Sequence, residues 1–419
     1  MVLERPELFS GRERWWFLLA CVLFFFLQIG FEYSHYRALT RFDDAIIDAK
    51  VRHQYLKHQE NRRYHVLKLV SDNGETFYTT GPDSLRHLTG YRLQLRIRTK
   101  RLTFIEYLRG FFAYSDILKV YPRRSLRTGM AESIANRHPG TTEGQIYAAL
   151  FTASPMERLL REKLAALGVS HLLAISGFHL GVLSFVLYML LKPIALHLQS
   201  RCCPYWHRRR MLFVTVALML FCYLAFLDYA PSLLRAFAMM VVGYGLYDRG
   251  LKVLSMQTLA VAVVLLLSLW PRLLFSLGLW LSVGGVYFIL LFLHHFGHWH
   301  KGVQFVVLHL WVYVMMLPLS LWIFGIFSPL HPLSVLWSML FILFYPLALL
   351  AHVIGVESLL QGILQELLRH AAVMHVSIAG WVVALQLASA LGALKSRRGL
   401  WLLLGVSMSV FVSAVYQVA

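Results

Sequence analysis

The sequence predicts a membrane α-helical bundle of about nine or ten transmembrane helices, one or more of them broken or re-entrant, joined to a small extracytoplasmic β-barrel. Three observations carry this prediction. The 419 residues are 58% hydrophobic and only 15% charged, against roughly 25% charged in soluble domains. The apolar residues collect in one run near the N-terminus and in a series of runs beyond residue 169, each near the ~20 residues that span a bilayer. Between them, residues 50–126 carry short alternating segments bounded by turn signals, the pattern of strands.

Residues 1–49 read as a transmembrane anchor with a juxtamembrane helix. A charged flank precedes the apolar stretch 15–31, and no small-x-small cleavage site follows, so the anchor is expected to be retained. Residues 50–126 read as the barrel. RYHVLKLVS and ETFYTT flank SDNGE, where Asn73-Gly74 predicts a hairpin turn. GYRLQLRIRTK alternates strictly. Arg92, Gln94, Arg96, Arg98 and Lys100 face one way and Leu93, Leu95 and Ile97 the other, which predicts a half-buried strand with a basic outer face. SDILKVYP, 115–122, is the last strand. Several short strands in so small a segment fit a closed or partly closed barrel such as an OB-fold.

Residues 127–168 read as interfacial helices. RTGMAESIANRH is amphipathic and basic enough to lie on a membrane surface. ERLLREKLAALG follows the breaker Pro155 and stops at Gly168. Residues 169–419 are the polytopic domain, with spans near 171–192, 211–228, 231–247, 253–270, 272–294, 303–326, 332–355, 372–394 and 399–418. Residues 356–370 carry one leucine-rich face and read as an amphipathic helix against the bundle or the interface.

The basic loop 192–210 is expected in the cytoplasm, which puts the barrel outside and the N-terminus inside. Strict alternation from there leaves Lys395, Arg397 and Arg398 outside. One apolar segment between 253 and 355 is therefore expected to be re-entrant or broken, with Pro271, Pro318 and Pro346 as candidate break points.

The net charge is +19, from 40 Lys+Arg against 21 Asp+Glu. Part of that excess is topology signal, and a basic soluble segment points to a polyanion. Arg92, Arg96, Arg98, Lys100 and Arg101 fall among Tyr91, Phe104, Tyr107, Phe111, Phe112 and Tyr114. Charge for phosphates and flat rings for bases suit single-stranded nucleic acid. A basic face on anionic headgroups, and an aromatic helix stripe packed on the membrane, are the competing readings.

Cys21, Cys202, Cys203 and Cys222 form no disulfide framework and no CxxC zinc spacing. There is no phosphate-binding GxxxxGK loop and no HExxH. HHFGHWH, 294–300, lacks an interleaved carboxylate and reads as an interfacial loop. No metal and no cofactor is predicted.

Within the apolar domain, polar residues are costly and point to function. His171 and His179 are eight apart, so a continuous helix puts them about 80° apart, on one broad face with Ser176. Gly177 and Gly181 permit close helix approach. Hydrogen bonds between helices, a polar stripe along a conducting path, and a Ser/His catalytic pair are all compatible with that face. Arg235 enters the next segment with Asp228 just before it, either as an ion pair bracing a helix end or as a charge facing a phosphate path or water.

GVSHLLAISGFHLGVLSFVLYMLLK, 168–192, resembles the signature of the ComEC competence proteins, close to GLSHLLAISGLHVG. APSLLRA, 230–236, is similar to that family's small-Pro-Ser-x-x-Arg-Ala. PRLLFSLGLWLSVGG, 271–285, and FIEYLRGFFAYS, 104–115, resemble two further family segments. The resemblance implies a channel of the bacterial inner membrane that passes one strand of DNA into the cytoplasm during natural transformation, with a periplasmic OB-fold handing over the strand. It implies signature positions at His171, Ser176, Gly177, His179 and Gly181, at Pro231, Ser232, Arg235 and Ala236, and at Pro271, Phe275, Gly278, Leu281 and Ser282. It implies as partners single-stranded DNA, the lipid bilayer, a periplasmic DNA receptor, and a cytoplasmic helicase or single-strand-binding protein.

Three departures from the family pattern stand out. No histidine/aspartate motif of the metallo-β-lactamase-like nuclease domain is present, so a short form is expected, with degradation left to another protein. ALFTASPMERLL stands where the family often has Gly-Asp-Arg. Gly278-Leu279-Trp280 replaces Gly-Phe-Gln. The sequence reading is thus a DNA channel and not an enzyme. An intramembrane Ser/His hydrolase, with Ser176 as nucleophile, and a small-solute transporter are the alternatives.

Overall fold

The computed structural model describes residues 8, 11–59, 62–121, 126–138, 141–201, 207–356, 366 and 368–418. Cys202, Cys203 and most of the expected helix 356–370 lie outside the described residues. The chain divides into two compact units, Met1–Met130 with Gly250–Leu281, and Ala131–Arg249 with Ser282–Ala419. The first unit thus takes in a stretch that the sequence places inside the polytopic domain.

The first unit is built on a six-stranded sheet: β1 Asp44–Gln59, β2 Arg62–Ser71, β3 Thr76–Pro82, β4 Arg92–Arg98, β5 Phe111–Phe112 and β6 Ser115–Tyr121, in the order β5-β3-β2-β1-β4-β6. The β2–β3 turn falls at Asn73-Gly74, as the sequence predicts, with Gly74 at φ +83°, a conformation glycine adopts without a Cβ penalty. β1 begins at Asp44, ahead of the boundary at 50 drawn from sequence, and is 16 residues long. The end strands β5 and β6 are consecutive in the chain. β5 runs parallel to β3, and the Ala113 amide donates to the Tyr78 carbonyl; the Arg98 amide donates to the Tyr114 carbonyl, and β6 then runs antiparallel to β4. Residues 111–121 therefore bond to both margins of the sheet.

The inner face buries Ala49, Val51, Leu67, Leu69, Phe77, Leu93, Leu95 and Ile97, the set that period-2 alternation predicts. The anchor helix α1, Glu13–Leu39, packs Ile29, Tyr36 and Leu39 on this core, and Tyr36 donates to the Leu102 carbonyl at 2.8 Å. The short helix α2, Phe104–Arg109, lays Tyr107 and Leu108 against the same core.

Among the described residues, seven helices are long and apolar enough to cross a membrane: Glu13–Leu39, Gly177–His197, Arg208–Phe226, Leu277–Phe296, Lys301–Phe324, His331–Ile354 and Arg397–Val418. This is a helical membrane protein. Two expected spans form only 14-residue helices, Met256–Leu269 and Gly380–Ala393, about 21 Å long against ~30 Å of hydrocarbon. Of the three candidate break points only Pro271 interrupts a helix, opening a 3-10 turn, Pro271–Phe275. Pro318 and Pro346 sit inside continuous helices.

In the second unit, helix Gly177–Arg201 packs against Arg208–Phe226, Pro231–Asp248 and Ser334–Ile354. Gly380–Ala393 and Arg397–Val418 form a tight hairpin. Gln386, fully buried, donates to the Met315 carbonyl at 2.7 Å and to Ser407 Oγ at 3.2 Å. This side chain ties three helices together, as polar groups do in apolar bundles.

Candidate functional site

The signature segment is not one helix. A single turn, Ser170–Leu173, ends at Ala174 in extended conformation, and the long helix starts at Gly177. The cause is local. Ser176 Oγ accepts the Phe178 amide at 3.3 Å, and His179 Nδ1 accepts the Ser176 amide at 3.3 Å. This is the reciprocal logic of a capping box, with histidine in the place of glutamate. The 80° relation computed for a continuous helix therefore does not apply to His171 and His179. The break still delivers both to one neighbour. His171 Nε2 lies 3.4 Å from Ser338 Oγ, and the buried His179 ring sits edge-on to Phe341 and Tyr345, at 5.3 and 4.9 Å between centroids. Ser338, Phe341 and Tyr345 share one face of Ser334–Ile354.

The second motif packs on this turn. Ser232 Oγ donates to the Ile175 carbonyl at 2.6 Å, and a Cβ on Gly177 would stand 3.1 Å from Ala236 Cβ. Pro231 opens helix Pro231–Asp248 at its first turn, where its missing amide costs nothing. Gly181 is different from Gly177: nothing lies within 4 Å of where its Cβ would be, so it does not serve close packing among the described residues. Arg235 is buried in the same helix, and among the described residues no carboxylate pairs with it.

Gly278 and Ser282 are exposed near the start of Leu277–Phe296, which Ser276 caps by accepting the Leu279 amide. Gly278 falls in the first unit; Ser282 falls in the second, and among the described residues it makes no hydrogen bond to the signature turn. His331, which the sequence reading did not single out, belongs beside it. It stacks on Phe327, approaches Tyr313 OH at 3.1 Å through Nδ1, and its Cε1 lies 3.0 Å from where a Gly168 Cβ would be. The only sequence signal was a His-Pro step between two apolar runs.

On the first unit, the basic face of β4 is less free than its sequence suggests. Arg92 pairs with Asp72 and with Asp48 at 3.6 Å, and Lys100 pairs with Asp43 at 2.9 Å. Asp44 and Asp116 stand in register beside Arg98 and Arg96. Arg96, Arg98 and Arg101 remain exposed and have no ion pair to a described residue. Of the rings, Tyr107 and Phe111 are buried in the core, so they do not serve as stacking platforms. Phe112 and Tyr114 are half or more exposed and meet edge-to-face at 5.1 Å, beside the Arg98 amide.

Among the described residues no group of three or more His, Cys, Asp and Glu is placed to hold a metal ion. In HHFGHWH, His300 Nδ1 accepts the Gly302 amide at a helix start, and His295 bonds the Ala393 carbonyl.

The family model described as competence protein matches residues 152–418. The chain belongs to the ComEC competence family. The match covers the signature turn, the Arg235 helix and the spans that follow it, and it supports a role in DNA uptake. Neither a search of curated proteins nor one of solved structures finds a match.

Proposed function

We propose that this ComEC-family chain is a channel of the inner membrane that passes single-stranded DNA into the cytoplasm, and that it transports without catalysing a reaction. The observation that carries this reading is Arg235, a largely buried arginine without a carboxylate partner among the described residues, on the helix that docks against the signature turn. An uncompensated buried charge costs several kcal/mol. A passing phosphate offsets that cost, so the site suits a polyanion. The six-stranded sheet, with 111–121 bonded to both margins, acts as a periplasmic OB-type barrel. It captures the strand through Arg96, Arg98 and Arg101 together with Phe112 and Tyr114. A periplasmic receptor supplies the strand, and a cytoplasmic helicase or single-strand-binding protein draws it in.

The Ser176–His179 contact at 3.3 Å is the one feature that favours a hydrolase. Both groups are already engaged in capping the helix, and among the described residues no carboxylate orients the imidazole, which supports the transport reading. The test is uptake of labelled DNA by a deletion strain complemented with His171→Ala, His179→Ala or Arg235→Ala, each scaled to its membrane abundance. Arg235→Ala is expected to lose uptake. Full uptake by all three variants overturns the proposal. Labelling by an activated-serine probe that is lost in Ser176→Ala would favour the hydrolase.

A further inference from the structure

We infer that Arg272 is a positioning residue that clamps the broken-helix turn Pro271–Phe275 to the anchor helix and to the sheet, so that these parts of the first unit act as one body. Arg272 Nη2 donates to Glu32 Oε2 of α1 at 2.6 Å and to the Tyr107 hydroxyl of α2 at 2.8 Å, and the guanidinium lies over the Tyr107 ring at 4.9 Å. The phenol has one proton to give. With Glu32 served by Arg272, it goes to Glu75 Oε1 at 3.2 Å in preference to Glu32 Oε2 at 3.4 Å. The second Glu75 oxygen takes the Ser71 hydroxyl. One guanidinium and one phenol thus hold two carboxylates, joining the hairpin 71–75, α1, α2 and the turn at 271.

Four further facts support a dedicated clamp. Tyr107 and Glu75 are almost wholly buried. Burial, opposed by Arg272 and reinforced by Glu75 and Glu32, pushes the Tyr107 phenol well above its ordinary value, so it remains a donor at neutral pH. Arg272 Nη1 comes within 3.8 Å of where a Gly74 Cβ would be, an ordinary contact distance, so the guanidinium tip also reaches the hairpin turn. The segment Gly250–Leu281 also groups with Met1–Met130 and not with the bundle that flanks it in sequence. Non-helical backbone in an apolar domain must be buried or line a cavity. The clamp holds this break in a fixed place relative to the sheet. Only the consequence for DNA passage rests on the channel reading.

The test is hydrogen exchange on the full-length protein in detergent, comparing wild type with Glu32→Gln, Arg272→Met and the pair combined. Amides in 71–75 and 104–110 are expected to exchange roughly tenfold faster or more in each single variant, as loss of a charged hydrogen bond implies. Those of Arg208–Phe226 should be unchanged, and the double variant no faster than the faster single one. The charge swap Glu32→Arg with Arg272→Glu should recover part of the protection. Unchanged exchange at 71–75 and 104–110, or single effects that multiply in the double variant, overturns the clamp. If Arg272→Met does not accumulate, Arg272→Lys and Tyr107→Phe are read in the same way. Uptake measured in parallel separates the two claims: loosened exchange with full uptake leaves the clamp standing and overturns its part in transport.

Discussion

Gly168 is where a single methyl group should do the most identifiable damage. Its φ is +71°, and an added Cβ would lie 2.9 Å from Ser334 Cβ, 3.0 Å from Ser334 Oγ and 3.0 Å from His331 Cε1. None of these is the loose end of a long side chain. Ser334 opens a helix, and His331 is held between Phe327 and Tyr313. Gly168→Ala therefore meets two costs, a left-handed backbone at roughly 1–2 kcal/mol and overpacking at roughly 1–3 kcal/mol. Gly250, at φ +76° with nothing within 4 Å, carries only the first. The two alanine variants should differ by the overpacking cost, about 5–150-fold in the unfolding equilibrium. SDS titration in mixed micelles, followed by the fluorescence of the 11 tryptophans, reads both. Equal destabilisation by Gly168→Ala and Gly250→Ala would refute the steric argument at the signature turn.

Ser232→Ala leaves the Ile175 carbonyl buried without its donor and should destabilise by about 1–3 kcal/mol; an unchanged midpoint in the same titration means another donor reaches that carbonyl. Reversing Arg96, Arg98 and Arg101 to Glu in the full-length protein should weaken single-strand binding and flatten its log–log salt dependence by about 2, at ~0.7 per phosphate contact. Reversing Arg92 and Lys100, which already neutralise aspartates, should change it much less; equal effects argue against the narrowed patch. At α2, the Thr103 amide and hydroxyl bond Glu106 and hold its carboxyl below the ordinary range. The folded state favours the charged form, so this contribution is complete above the ordinary glutamate value of about 4.3 and is lost as pH falls through the lowered folded value. Protection of the amides at 104–110, corrected for the intrinsic exchange rate at each pH, should fall on acidification, and Glu106→Gln should remove that acid dependence.

What the sequence revealed about this molecule depended on how local the cause was. The 92–98 alternation, the Asn73-Gly74 hairpin and the stop at Gly168 are set by neighbours in the chain, and each stands where it was expected. β1 was missed because the alternation of Ala45, Ile47, Ala49 and Val51 with Asp44, Asp48, Lys50 and Arg52 is broken by an irregularity between Val51 and His53, and its pairing with β2 and β4 outweighs weak local preference. The basic face was overestimated because Asp43, Asp48 and Asp72 are brought to Arg92 and Lys100 only by the fold. The signature helix was started six residues too early because hydropathy does not register a Ser-His cap inside an apolar run. Pairing of the first two motifs through Ser232 and Gly177 joins residues more than 50 positions apart, which no periodicity reports.

The Glu32–Arg272 ion pair spans 240 positions of chain, and that separation sets an order of events during synthesis. At 5–20 residues per second, Glu32 leaves the ribosome roughly 10–50 s before its partner exists. Over that interval Tyr107 and Glu75 have no guanidinium, and the whole of 131–249 must be threaded before the first unit can finish. The N-terminal sheet is thus made early and locked late, so membrane insertion of the segment near 271 becomes the checkpoint at which biogenesis of this unit is completed.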